Sequence, residues 1–306
     1  MRLLSYRDDS GQDLSRHVPA GLESRLDGDW ALQRWLTPGI RLGRLLPDGR
    51  VEVAPGGLSR PTAELTAAPA IPRPGKIVCI GHNYRAHITE QGIEPPDRPL
   101  LFAKFANAVL ADGEPIVRPT GSHALDLEAE LGVVIGHTAR RVSAGQAMAH
   151  VLGYVVVNDV SARDWQGTKA ALRPGERGDG QWLRAKGSDT FFPIGPILVT
   201  ADEFDGPPDL AIRSWRIPGA GPQAGQPIMM QDGRTGDLLF GIPELIEFVS
   251  RSITLEPGDI ISTGTPAGVG VFRDPPIFLE PGDRVRVEIE GIGSVENPVI
   301  DATDDD

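Results

Sequence analysis

The chain has 306 residues, 40% of them hydrophobic and 24% charged, enough for one large domain or a large domain with a small one, and too apolar for a disordered chain. Thirty basic against 42 acidic side chains leave a net charge of −12, and no Lys/Arg-dense segment offsets it, which argues against nucleic acid as a partner. A single cysteine, Cys79, excludes an intramolecular disulfide, and no run approaches the roughly 18 apolar residues of a membrane span.

The N-terminus, MRLLSYRDDSGQD, turns polar after a few residues and lacks the apolar core of a signal peptide, so a cytoplasmic location is expected. Residues 1–70 mix short apolar pieces, Ile40-Arg41-Leu42 and Val51-Glu52-Val53, with turns such as Pro47-Asp48-Gly49, and read as a small N-terminal α/β domain. The stretch from Ala67 to Gly75 carries Pro69, Pro72 and Pro74, which resist helix and ladder pairing alike, so a boundary is placed there and residues 71–306 form the second unit. Strand signals then follow at Lys76–Gly81, Leu100–Lys104, Gly153–Val160, Ile194–Thr200, Asp209–Ile217, Asp259–Thr263 and Arg284–Glu290. Between them Leu127, Ala129, Leu131, Val133 and Ile135 alternate with Asp126, Glu128, Glu130 and Gly132, the period of a strand with two distinct faces. Helices are fewer. Ser143 with Gln146 fits a capping box, and Ile242–Ser252 places Leu245, Phe248, Val249 and Ser252 at helical spacing behind Pro243. The string LEPGD occurs at 255–259 and 279–283, and its central Pro-Gly suits a type II turn. The fold class is α/β and β-rich.

Four groups of residues can carry chemistry. Glu128 and Glu130 fall on one strand face, and Asp159 ends the next strong strand; three converging carboxylates suit a hard divalent cation, whereas an ordinary half-exposed strand also shows such alternation. If GHNYRAHITE turns helical after its glycine, His87 and Glu90 stand at i and i+3, where a carboxylate orients an imidazole as a base; an exposed surface pair has the same spacing. Lys186 and Lys104 lie among small and apolar residues, where a lysine either holds a negative oxygen or snorkels to solvent. The turn Ser262–Gly270 offers backbone N–H groups and hydroxyls to an anionic oxygen but lacks the lysine of a phosphate-binding loop.

The motifs GHNYRAHITEQG, LFAKFANAV, LDLEAELGVVIG, GYVVVNDVSARDWQ, AKGSDTFFPIGP and GDIISTGTPAGVG, in this order, resemble the fumarylacetoacetate hydrolase family over most of residues 75–299. The resemblance implies a mixed β-roll or barrel with a small N-terminal domain, and homodimers. It implies metal ligation by Glu128, Glu130 and Asp159, with Mg²⁺ or Mn²⁺ as the ion and Ca²⁺ able to stand in for it in a crystal. It implies a catalytic set of His87, Glu90 and Lys186, with Tyr84, Arg85, Gln166 and Thr265 contacting substrate. Against the family pattern, His82 stands where Leu or Arg is common, Leu127 where Tyr or His is common, and residues 167–181 form a longer stretch.

The expected activity is metal-dependent hydrolysis of a C–C bond in a 1,3-dicarbonyl or 2-oxo acid of the acylpyruvate type, through a metal-stabilised enolate. The same site serves two neighbouring reactions, decarboxylation of oxaloacetate and keto–enol isomerisation. A non-catalytic metal- or carboxylate-binding module would keep the three acids without needing His87, Glu90 or Lys186.

Overall fold

Two sheets carry most of the strands in the computed structural model, which describes residues 1–7, 18–27, 39–54 and 58–303. The polar N-terminal stretch from Asp8 onward lies outside the described residues. The larger, mixed sheet has 11 strands. Its spatial order is Leu58–Pro61, Arg50–Ala54, Ile40–Leu45, Arg2–Arg7, Ile197–Thr200, Val151–Asn158, Ala129–Ile135, Ile260–Ser262, Ile77–Gly81 and Leu100–Lys104, with Thr66–Ala67 added beside Arg2–Arg7. Among the described residues only Ile260–Ser262 and Ile77–Gly81 pair in parallel within it. The second sheet has five strands, in the order Ile228–Arg234, Ala211–Ile217, Arg284–Ile289, Gly293–Asp301 and Ile116–Arg118. Neither sheet closes on itself among the described residues. No described helix is long and apolar enough to cross a membrane.

The N-terminal strands continue the main sheet. Arg2–Arg7 runs antiparallel to Ile197–Thr200, with Leu4 opposite Ile197, and the Met1 ammonium reaches Thr200 Oγ1 at 2.5 Å. The Pro-rich stretch that follows is not solvated: Ala68, Ala70 and Ile71 are fully buried, and the Ala68 and Ala70 amides donate to Ser5 and Gly195.

The strand Ala129–Ile135 shows why alternation alone misleads about solvent. Its odd residues, Ala129, Leu131, Val133 and Ile135, pack with Leu245, Ile246 and Val249 of the helix Ile242–Ser250 and with Ile212 and Val287 of the second sheet. Val134 on the other face joins Val155, Val157, Ile260, Phe191 and Phe192. Both faces are therefore covered, and every residue of the strand is buried. The period-2 pattern marks two cores rather than a core and a solvent face.

The paired LEPGD strings form the expected turns. Gly258 and Gly282 take positive φ values of 82° and 95° after their prolines, and the Asp259 and Asp283 amides donate back to Glu256 and Glu280. In each turn the aspartate side chain also accepts from the amide three residues earlier, at 2.7 Å and 2.9 Å. The Ser143 capping box is not formed. The Ser143 hydroxyl donates to the Gln146 side chain at 2.9 Å, leaving the backbone amide to the Ser143 carbonyl, and the helix Ala144–Ala147 is a single turn.

Candidate active site

Strand register assembles the acids. Ala129 sits opposite Asn158, so Glu128 and Asp159 become neighbours at the strand ends, and the Asp159 amide donates to the Glu128 carbonyl at 2.9 Å. The Asn158 side chain accepts from the Glu128 amide at 3.0 Å. Glu130, two residues on and on the same face, completes a group whose ligand oxygens lie within 4.8 Å of one another. All three are buried, at 5%, 1% and 0% exposure for Glu128, Glu130 and Asp159, which removes the solvated-face reading.

Three buried cations face these acids. Lys186, near the C-terminal end of the short helix Trp182–Gly187, donates to Glu128 Oε2 at 2.7 Å and to Asp159 Oδ2 at 3.1 Å. Arg163 Nη2 lies 2.6 Å from Glu128 Oε1, and its Nε donates to Asp126 Oδ2 at 2.9 Å. Lys104 Nζ lies 2.7 Å from Asp159 Oδ1. Its three hydrogens, however, go to the carbonyls of Val160 at 3.0 Å, Phe191 at 2.8 Å and Lys186. Asp159 Oδ1 is thus beside a positive charge while receiving no hydrogen bond, and keeps its lone pairs.

The charges sort the carboxylates. Burial pushes the Glu128 carboxyl up, but Lys186 and Arg163 outweigh it and hold it at about 2. Burial also pushes Glu130 up, and there the neighbouring Asp159 and Glu128 add to the effect, carrying it well above the usual carboxylate range. Burial pulls Lys186 down, but Asp159 and Glu128 more than offset it, so its ammonium stays charged. With all four acids ionised, Asp126, Glu128, Glu130 and Asp159 carry four negative charges against three positive ones on Lys104, Lys186 and Arg163, and the high Glu130 pKa marks where a bound divalent cation would stabilise the ionised form.

The Ser262–Gly270 turn does bind anionic oxygens, and they belong to the chain itself. Ser262 Oγ donates to Glu130 Oε2 at 2.5 Å and the Gly264 amide to the same oxygen at 3.0 Å. The Gly268 amide donates to Glu90 Oε2 at 2.9 Å, and the Gly270 amide to Asp126 Oδ1 at 2.8 Å. Gly264 must be glycine: its φ is +100°, and a Cβ there would lie 2.9 Å from Asn83 Cβ.

GHNYRAHITE turns helical as Arg85–Gln91, ended by Gly92 in the left-handed region. Asn83 anchors its start: the side-chain amide donates to Thr263 O at 2.8 Å and Phe240 O at 3.1 Å and accepts from the Phe240 amide at 2.9 Å. His87 Nδ1 meets Glu90 Oε1 at 2.6 Å, and with Gly268 holding the other oxygen the carboxylate is fixed at both ends. An imidazole that donates from Nδ1 presents Nε2 as its basic nitrogen.

His87, Glu128, Glu130, Lys186, Gln166 and Thr265 line one cavity of about 300 Å³, together with His82, Gln91, Phe102 and Arg163. Thr265 donates to Ala129 O at 3.0 Å and accepts from Gln231 at 2.7 Å. Gln166 accepts from Arg163 Nη1 at 3.1 Å. Tyr84 and Arg85 do not line this cavity: Arg85 is exposed, while Tyr84 is buried with its hydroxyl unpaired among the described residues. Sequence reasoning missed Arg163 and Asn83. The only trace of the first was an arginine flanked by Asp in SARD, and nothing in GHNY marked the second.

A protein-family model, fumarylacetoacetate (FAA) hydrolase C-terminal, matches residues 76–300. The chain belongs to the fumarylacetoacetate hydrolase family. It is an enzyme of that family, and its relatives carry isomerase and tautomerase names. It is 45% identical over 240 residues, 78% of this chain and 71% of the relative, to the protein named oxaloacetate tautomerase FAHD2B, mitochondrial, from Bos taurus. Among solved structures, 5-carboxymethyl-2-hydroxymuconate delta-isomerase from Mycobacterium smegmatis superposes with a TM-score of 0.71 at 37% identity, covering 87% of this chain and 96% of that one. The fumarylacetoacetate hydrolase of Exiguobacterium antarcticum superposes with a TM-score of 0.75 at 28% identity, covering 99% of this chain and 100% of that one.

Proposed function

We propose that this chain is a divalent-cation-dependent enzyme that interconverts the keto and enol forms of a small 2-oxo diacid of the oxaloacetate class. The observation that carries the reading is His87: Glu90 holds its Nδ1, and the ring lines the same small cavity as Glu128, Glu130 and Lys186. A cavity of about 300 Å³ is at the lower end for ligand sites and suits a four-carbon acid. The tautomerase name of the 45%-identical relative supports it.

Glu128, Glu130 and Asp159 would hold Mg²⁺ or Mn²⁺; an Asp159 Oδ1 that receives no hydrogen bond and a hard-oxygen donor set within 4.8 Å fit such an ion. When bound, the ion supplies Lewis-acid polarisation of the 2-oxo group. Lys186 holds Glu128 and Asp159 in place and keeps a positive charge beside the developing oxyanion. His87 Nε2 takes a proton from C3 of the keto acid and passes it to the 2-oxo oxygen to give the enol, the reverse transfer regenerating the keto form, while Glu90 stabilises the imidazolium formed between. Phe102, Ile93 and Phe272 keep that transfer away from bulk water.

Hydrolysis of a C–C bond, the leading expectation from the motifs, uses the same residues plus a water beside His87. The hydrolase name of the Exiguobacterium antarcticum structure favours it as the second reading. The test follows enol oxaloacetate by ultraviolet absorbance with Mg²⁺, and pyruvate release from acylpyruvates in parallel. The proposal expects acceleration of the interconversion, lost 10²- to 10⁴-fold in His87→Gln, a range typical of a positioned acid–base group. Pyruvate release without tautomerisation would replace it with the hydrolase, and silence in both assays would remove both.

A further inference from the structure

His82 enters the cavity from the end of the strand Ile77–Gly81, at the start of the wall that carries His87. Its φ is +54°, a left-handed conformation that penalises a side chain and that glycine adopts freely. Arg141 and Thr190 share that conformation among the described residues, but neither lines the cavity. A strained backbone that presents a ring to a cavity is the kind of outlier that marks a functional contact.

The neighbouring Gln91 fixes which ring nitrogen carries the proton. Gln91 Nε2 lies 3.2 Å from the His87 carbonyl and 3.2 Å from His82 Nδ1. A carbonyl only accepts, so the amide nitrogen is the donor there, and its second hydrogen meets His82 Nδ1. That nitrogen therefore accepts, and the proton of the neutral ring sits on Nε2. Burial, reinforced by His87, holds the His82 pKa down and keeps the ring in this neutral form. No acceptor is paired with Nε2 among the described residues.

The charged groups around the cavity are engaged, and Gln166 is held through its oxygen, which accepts from Arg163 and Thr168. Lys186 is shared by Glu128 and Asp159; Arg163 faces Asp126, Glu128 and Gln166; His87 faces Glu90. Glu128, Glu130 and Asp159, which would hold the cation, and Lys186 beside them would take the 2-oxo end of the substrate, so its second carboxylate lies away from the floor. His82 Nε2–H stands on the wall as a donor for it. We infer that His82 is a specificity-determining residue, whose Nε2–H donates to the second carboxylate of a dicarboxylic substrate and selects it over a monocarboxylic 2-oxo acid. The inference rests on the 2-oxo diacid reading above and names which part of that substrate this side chain recognises.

The test uses His82→Gly, which removes the ring and relaxes the backbone, and His82→Asn, which tolerates the left-handed region and keeps a donor. Binding to Mg²⁺-loaded protein is measured by calorimetry for malate, which carries a second carboxylate separated from its 2-hydroxy end, and for oxalate, which offers only a near end. His82→Gly is expected to weaken malate at least tenfold and oxalate less than twofold, to melt no lower than wild type, and to raise KM for oxaloacetate by more than it lowers kcat. His82→Asn falls between. Equal weakening of both ligands, no weakening of malate, or no malate binding by wild type would overturn the inference. Selective loss of malate in a protein without tautomerase activity would uphold the carboxylate contact while the functional reading fell.

Discussion

The cavity floor and the cavity wall are built on different principles. On and beneath the floor, Glu128, Asp159, Lys186, Lys104 and Arg163 come from distant parts of the chain; the pairing of Ala129 with Asn158 brings Glu128 to Asp159, and each of the five is buried and ion-paired with at least one other. The wall is a seven-residue helix, too short to be stable alone, attached through Asn83 at its start and through Glu90 to Gly268. Floor residues therefore serve stability and charge balance together, whereas wall residues can be changed at modest structural cost. A floor substitution should register in unfolding, and a wall substitution in turnover.

The largest expected effect lies on the floor. Arg163→Met removes the guanidinium between Asp126 and Glu128 and leaves buried carboxylates without it. Breaking one side of a buried ion pair costs about 3–5 kcal/mol. Urea unfolding of metal-free protein measures this, and a loss below about 1 kcal/mol would break the comparison. The next effect is smaller. Mg²⁺ or Mn²⁺ at a hundredfold excess over its dissociation constant should stabilise the native protein by about 2.7 kcal/mol, since it binds only that state. Asp159→Asn should abolish the gain, and an undiminished metal-dependent shift in melting temperature would show that the ion sits elsewhere.

How far these regions were legible follows from the same contrast. The alternation from Asp126 to Ile135 put Glu128 and Glu130 on one face, and that face is where they meet Asp159. What alternation could not show is burial, because it depends on Phe191, Phe192 and Val157 covering that side from elsewhere in the chain. The LEPGD turns were readable because Pro-Gly fixes its own dihedrals. Lys104 was not, because its three acceptors are carbonyls near residues 160, 186 and 191, which no local pattern announces. His82 was unreadable as a left-handed residue, since such positions are announced by glycine. The Ser262–Gly270 turn was read as an anion site, and only the fold reveals that its anions are Glu130, Glu90 and Asp126.

On the wall, Glu90→Gln keeps the shape of the side chain and an oxygen for His87 Nδ1–H while removing the negative charge that stabilises the imidazolium. Partners of this kind are worth about 10- to 100-fold in activity. Turnover should fall by that much while the urea midpoint moves far less than in Arg163→Met. A loss of stability as large as the floor variant's would mean that the wall helix is integral to the fold, and the contrast would fail.

The smallest effect supplies the baseline against which both regions are judged. Gly282 has a φ of +95° in the second LEPGD turn, and the nearest atom to a Cβ there, Gly219 Cα, is 3.9 Å away. Gly282→Ala therefore meets no clash and carries only the dihedral penalty, about 1–2 kcal/mol for an L-residue in that region. Because Gly282 pairs its amide with Val299 in the second sheet and contacts neither floor nor wall, kcat and KM should match wild type, and only the urea midpoint should shift. A change in KM in this variant would mean that strain in the second sheet reaches the cavity, and the activity losses assigned to Glu90 could then no longer be read as local.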